Sequence, residues 1–208
     1  MKYLKELTER YPDLECISGD IEKAYAIMEK AFESGKKLLV AGNGGSAADS
    51  EHIVGELMKT FKKERPISYD MKQRLIKIDP ERGRQLGDFL QNSLRAIAVT
   101  GHTSLTTAVM NDVEPKLGFA QQVNGYGDEG DVFLAISTSG NAENIMLAAV
   151  TAKAKGLKII LLSGKDGGEL KNLADVAIIV PDDETFRIQE RHLPIYHTIC
   201  RELEEHFF

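Results

Sequence analysis

The chain has 208 residues, 42% of them hydrophobic and 28% charged, with a formal net charge of -6. That length suits one substantial domain and is short for two, and the apolar share is that of an ordinary globular protein. The acidic balance argues against non-specific binding to nucleic acid, so an anionic ligand needs a local site, and no apolar run nears the roughly 20 residues that a membrane helix needs.

From about Leu4 to Ser34 the pattern predicts two helices, broken at Ser18-Gly19-Asp20 with Asp20 capping the second. Ala24, Ile27, Met28, Ala31 and Phe32 form the apolar stripe of that second helix. Leu38-Leu39-Val40-Ala41 reads as a buried parallel strand, Gly42-Asn43-Gly44-Gly45-Ser46 as a glycine-rich turn, and Ala47 to about Thr60 as a helix. The segment from Phe61 to Leu94 is rich in both Lys/Arg and acids and is interrupted by Pro66 and Pro80. It reads as a solvated insertion at about 62–94, with a short helix near Gly87 to Leu94, in a position to cover a site on the preceding helix.

Further strands are expected at Arg95–Thr100, Asp131–Ile136, Lys158–Leu162 and Val176–Val180, the last stopped by Pro181. Helices are expected at Ser104–Met110, around Phe119–Val123, at Ala142–Lys155 and at Glu184–Glu205, the last kinked by Pro194. Apolar strands alternating with helices imply an α/β fold with a central parallel sheet covered on both faces. Cys16 and Cys200 have no framework or metal-type spacing, and the residues after Met1 lack a signal-peptide core, so a reduced, cytoplasmic setting is expected.

Ligands of such sheets sit at the carboxyl ends of the strands, and two polar turns fall there. The Gly42–Ser46 turn fits neither the Walker nor the dinucleotide spacing, yet strand–glycine turn–helix aims free backbone N–H groups at an anion. It is equally the pattern of a plain connecting turn. Ser137-Thr138-Ser139-Gly140-Asn141 sets three hydroxyls in a row at a strand end, a donor set suited to phosphate beyond simple helix capping. His52 and Glu56 are four apart and share a helix face. They could be metal ligands, an acid/base pair, or an ordinary surface pair.

Together the stretches Ala41–Ser46, Ala135–Asn141 and Gly164-Lys165-Asp166-Gly167-Gly168, with Arg187-Ile188-Gln189-Glu190 near the end, resemble the sugar isomerase (SIS) domain family. The branch most similar acts on seven-carbon sugar phosphates. The resemblance spans nearly the whole chain except about Tyr69 to Asn92. It implies a flavodoxin-like three-layer sandwich in one SIS domain over 1–208, a homotetramer with sites between subunits, and a small sugar phosphate as ligand, with no nucleic acid or membrane partner. It also implies an aldose–ketose isomerase, with sedoheptulose 7-phosphate as the expected substrate. Carried over residue by residue, Ser137, Thr138 and Ser139 hold the phosphate, and Asn43, Gly44, Ser46, Asp112 and Gln189 contact substrate. Glu56 is the base and His197 the second acid/base. Zinc, in members that bind it, falls to His52, Glu56, Gln189 and His197. The alternatives are a non-catalytic SIS module that binds a sugar phosphate or a partner protein, and an isomerase for another phosphosugar. The second gains from three departures: Thr60 stands where the branch often has arginine, Ala142 where a serine adds to the phosphate turn, and Phe186 where an aspartate precedes Arg187.

Overall fold

The computed structural model describes residues 1–208. Its five strands are β1 (Leu38–Gly42), β2 (Ala96–Ala98), β3 (Val132–Ile136), β4 (Lys158–Gly164) and β5 (Val176–Val180). They form one all-parallel sheet in the order β2-β1-β3-β4-β5. The helices are α1 (Lys2–Arg10), α2 (Ser18–Glu33), α3 (Gly45–Met58), α4 (Tyr69–Ile78), α5 (Pro80–Phe89), α6 (Thr103–Asp112), α7 (Gly118–Tyr126), α8 (Glu143–Ala154) and α9 (Thr185–Phe207).

The strands are apolar throughout because both faces are covered. Alternate residues feed two cores. Leu38, Val40, Leu134, Ile136, Ile160, Leu162 and Ile178 pack under α1, α2, α3 and α9. Leu39, Ala41, Phe133, Ala135, Ile159 and Leu161 pack against α7 and α8. The three layers of the flavodoxin-like sandwich follow directly from this alternation.

The strand order also fixes where a ligand fits. From β1 the chain crosses to β2 on one side, then returns to β3 on the other, so β1 and β3 flank the topological switch point. Gly42 is level with Ile136 across the β1–β3 ladder, and Ile136 is level with Leu162. The Gly42–Ser46 and Ser137–Asn141 turns therefore leave adjacent strands at the same height.

Three local expectations are corrected. Ser18-Gly19-Asp20 is not a break: it is the first turn of α2, and the chain bends earlier, at Tyr11 and a short 3-10 turn from Pro12 to Ile17. Pro12 supplies that bend, because its ring starts a new turn and cannot extend α1. Asp20 is no cap, since the residue before α2 is Ile17 and no side chain caps there. The helix expected over Gly87–Leu94 lies earlier and ends at Phe89. The insertion is a helical hairpin, α4 and α5, in which Ser68 and Asp79 cap the two helices through their side chains. The helix expected at Glu184–Glu205 is α9, with Pro194 inside it.

Candidate functional site

The first turn is built around two close approaches. A side chain on Gly42 would run into the backbone of Ser46, so the strand can fold tightly into α3 only with glycine there. Gly44, at the residue before α3, sits in the left-handed region at φ +55°. Ser46 is buried, and Asn43 and Gly44 are exposed. Asn43 and Asn144 exchange two amide hydrogen bonds of 2.9 Å each, which ties the first turn to the start of α8.

The second turn is braced from behind. The Ser137 carbonyl accepts from Gly140 N–H at 3.0 Å and from the Ser163 hydroxyl at 2.6 Å. The Asn141 amide oxygen accepts from Glu169 N–H at 3.0 Å. Gly140 and Gly168, both at positive φ, let this turn and the Gly164–Gly168 loop touch backbone to backbone. The hydroxyls of Ser137 and Thr138 make no hydrogen bond within the chain, whereas Ser139 Oγ accepts from Asn141 N–H. Ala142 precedes α8 and offers no side-chain cap, so the departure seen in the sequence leaves this helix start one hydroxyl short.

α3 and α9 run side by side and gather His52, Glu56 and His197. The donor atoms of these three residues lie within 4.8 Å of one another. His52 Nε2 is 3.1 Å from Glu56 Oε1 and 3.4 Å from His197 Nε2. On the other side of the ring, His52 Nδ1 is 3.0 Å from the Tyr196 hydroxyl, which donates to Asp49 Oδ1 at 3.2 Å. The rings of His52 and Tyr196 meet edge to face, with centroids 5.5 Å apart.

The charges are matched to this packing. Glu56 is 9% exposed, and its Oε2 is closed off with no hydrogen-bond donor; the Lys59 ammonium, at 3.6 Å, is too far to supply one. Burial lowers the His197 imidazole below its ordinary range, helped by His52, so it is neutral near pH 7. Burial raises the Tyr196 phenol, helped by Asp49, so it keeps its proton. Burial also raises the Asp49 carboxyl, against the pull of the Tyr196 hydrogen bond.

Two imidazole nitrogens and a carboxylate oxygen gather at one point, and the second oxygen of that carboxylate has no hydrogen-bond donor. A divalent cation satisfies all three, and N/N/O is a donor set that zinc accepts in open sites. Gln189, the fourth expected ligand, rests instead against the start of α3: a side chain on Gly45 would lie 2.8 Å from its Nε2. Gly45 precedes His52 by about 10 Å of helix rise, so Gln189 stands nearer the glycine turn. Asp112, at the end of α6, is exposed and hydrogen-bonds only with its neighbour Asn111, so one chain does not bring it to the cluster. Thr60 Oγ1 is buried without a partner, and Phe186 is exposed beneath the Arg187 guanidinium.

Asp49, Tyr196 and Asn144 went unseen in the sequence. Asp49 lies three residues before His52, a same-face spacing that could have flagged it. Nothing local marks Tyr196 or Asn144, because the partners of each are about a hundred or more residues away.

The sheet order, the two strand-end turns and the α3/α9 cluster define a SIS-domain protein. Family models described as SIS domain match residues 95–199 and residues 2–74. The chain is 41% identical to the phosphoheptose isomerase of a Nitratiruptor species over 98% of its own length and 97% of that protein's. It is also 41% identical to the phosphoheptose isomerase of Clostridium acetobutylicum, over 90% and 84% of the two chains. A solved phosphoheptose isomerase from Francisella tularensis superposes with a TM-score of 0.76 at 30% identity, covering 98% and 95%. The one from Neisseria gonorrhoeae gives 0.73 at 30% identity, covering 96% and 91%. The chain belongs to the phosphoheptose isomerase family, which is a family of enzymes. Residues 75–94, most of the helical hairpin, fall in neither family match.

Proposed function

We propose that this isomerase interconverts sedoheptulose 7-phosphate and D-glycero-D-manno-heptose 7-phosphate. The reading is carried by one observation: His52, Glu56 and His197 converge between α9 and α3, the helix that leaves the glycine turn at the switch point. Aldose–ketose isomerisation moves a proton between C1 and C2 through an enediol and exchanges protons at the two oxygens. In this proposal Ser137, Thr138 and Ser139, with the first amides of α8, hold the phosphate. Asn43, Gly44, Ser46 and Gln189 position the sugar chain, and Asp112 reaches a substrate held by a second copy. Glu56 moves the carbon-bound proton. His197, neutral near pH 7, takes and returns a proton at the ring or carbonyl oxygen.

His52, Glu56 and His197 would hold zinc, with Gln189 joining by a rotation of its side chain. Zinc bound there supplies Lewis-acid stabilisation of negative charge on the substrate oxygens. Homotetramer formation belongs to the same proposal, since Asp112 is not among the side chains that converge within one chain.

The test is turnover of sedoheptulose 7-phosphate by the purified chain, with and without a chelator. The expected result is turnover that is lost on chelation and restored by zinc. Turnover indifferent to chelation rejects the metal and keeps the enzyme. A Glu56→Gln variant that folds normally is expected to lose at least about 100-fold in kcat, the scale of one general base. Full activity in that variant rejects the base assignment.

A further inference from the structure

We propose that Asn144 is a positioning residue: its paired amide bonds hold the Asn43 side chain in one orientation, so that the glycine turn offers a sugar hydroxyl a fixed donor and a fixed acceptor. This role deepens the reading above, in which Asn43 contacts substrate, and rests on it.

An amide has a donor end and an acceptor end, and the chain fixes which is which. The Ile145 N–H can only donate, and it reaches Asn144 Oδ1 at 3.1 Å. That oxygen also accepts from Asn43 Nδ2 at 2.9 Å, while Asn144 Nδ2 donates back to Asn43 Oδ1 at 2.9 Å. Both lone pairs of Asn144 Oδ1 are spent, and neither amide can turn over without setting like ends against each other. Asn43 keeps one N–H and one lone pair, the complement of a hydroxyl, which both donates and accepts.

Helix capping does not account for Asn144. It is the second residue of α8, but the Ile145 N–H that it serves already has the Ala142 carbonyl at 3.0 Å. No other side-chain hydrogen bond joins the Gly42–Ser46 turn to the Ser137–Asn141 turn or to the start of α8. Asn43 is exposed and its amide has no other partner, so without Asn144 that amide rotates freely. Asn144 itself is carried by the helix that follows the hydroxyl-rich turn. The contact to the sugar is thereby set in register with the element proposed to hold the phosphate. Such register matters, because a displacement of about 1 Å at a reacting substrate is costly in rate.

Asn43→Ala, Asn144→Ala and the double variant are compared in turnover of sedoheptulose 7-phosphate. Each single change is expected to lower kcat/KM by about 10-fold, the scale of one hydrogen bond between uncharged groups. The double variant is expected to be no worse than Asn43→Ala, because Asn144 acts through Asn43. Losses that multiply overturn the inference. Inhibition by inorganic phosphate is expected to be unchanged in Asn144→Ala. Phosphate binding that weakens in step with kcat/KM would show that Asn144 merely shapes the phosphate turn, and overturns the inference as well.

The second readout needs no turnover. Exchange of side-chain amide protons is followed in the 15N-labelled chain, with the Asn43 signals assigned by their loss in Asn43→Ala. The bonded Asn43 proton is expected to exchange about 10-fold more slowly in the wild type than in Asn144→Ala. Equal rates overturn the inference, whether or not the chain is an isomerase. Slow exchange in a chain without turnover overturns the isomerase reading, and with it the contact to the sugar, and keeps the bond between the two turns.

Discussion

At the scale of single residues, the most consequential group outside the cluster is His192. It is fully buried on α9, donates from Nε2 to the Ser163 carbonyl at 3.2 Å, and leaves Nδ1 without a partner. Burial pushes its pKa down from 6.5 to about 4. The folded chain therefore holds it neutral, while the unfolded chain protonates it below about 6.5. Between those values the unfolded state binds more protons, so the stabilisation is full above 6.5 and is lost as pH falls toward 4. A shift of this size corresponds to about 3 kcal/mol. His192→Gln keeps a donor for Ser163 but cannot titrate. Denaturant melts at pH 7 and pH 4 are expected to show the wild type losing about 3 kcal/mol more than the variant. Equal losses would refute the linkage.

The residue scale also shows how far the sequence could be read. The His52/Glu56 spacing was legible because one helix face is a local property. His197 came only through the family resemblance, since its distance to His52 depends on how α9 crosses α3. Tyr196 was invisible for the same reason, whereas Asp49, three residues before His52, carried a local same-face signal that was passed over.

At the scale of elements, the junction after α3 is held by a buried ion pair. Arg65, 2% exposed, donates to the Leu57 carbonyl at 2.8 Å and to the Glu56 carbonyl at 3.1 Å, and pairs with Glu204 at 2.8 Å. The Glu204 carboxylate also accepts from the N–H groups of Phe61 and Lys62, and the Phe208 ring lies under the guanidinium. The pair thus satisfies the end of α3 and fastens it to the end of α9. These contacts keep the Glu204 carboxyl ionised below its usual range despite burial. Glu204→Ala, which leaves Arg65 buried and unpaired, is expected to cost about 3–5 kcal/mol by chemical denaturation. A loss under 1 kcal/mol would show that solvent reaches the guanidinium.

Elements were read well where the signal was periodic and badly where it was punctuation. All five strands were legible because buried parallel strands are nearly unbroken apolar runs. Gly19 misled because glycine is tolerated in a first helical turn, while Pro12 was passed over. The hairpin was missed because its apolar residues are sparse among charges. It is held by a close approach, Gly83 against the Leu75 backbone and Gly87 against the Lys72 stem, which no hydrophobic pattern announces.

At the scale of the whole molecule, the hairpin stands apart from the sandwich. No side chain of α4 or α5 is fully buried, and Tyr69, Ile78 and Phe89 are 74%, 84% and 78% exposed. Its ends are joined by the Pro66–Gln91 bridge and by Asn92 N–H donating to the Arg65 carbonyl at 2.6 Å. Replacing residues 68–90 with two glycines is therefore expected to shift the thermal midpoint by no more than about 4 °C, since neither core loses a side chain. A larger drop, measured by calorimetry at fixed protein concentration, would show that the hairpin supports the fold. The doubly covered sheet and its switch point were legible from the alternation of strands and helices. The solvated character of the insertion was legible too, but its form as a helical hairpin was not.

The amide bracket between the two strand-end turns has a chemical lifetime. Asn43 is exposed and followed by Gly44, the neighbour that least obstructs attack of a backbone nitrogen on the side-chain amide. The other asparagine–glycine pair, Asn124-Gly125, is shielded because its backbone is fixed within α7. Loss of ammonia at Asn43 would replace the donor to Asn144 with a carboxylate, setting a negative charge beside the turn proposed to receive a phosphate. The bracket would then repel both its partner and its ligand. Chains of this protein would age at one peptide bond, and the acidic form would accumulate first at the site where it does most harm.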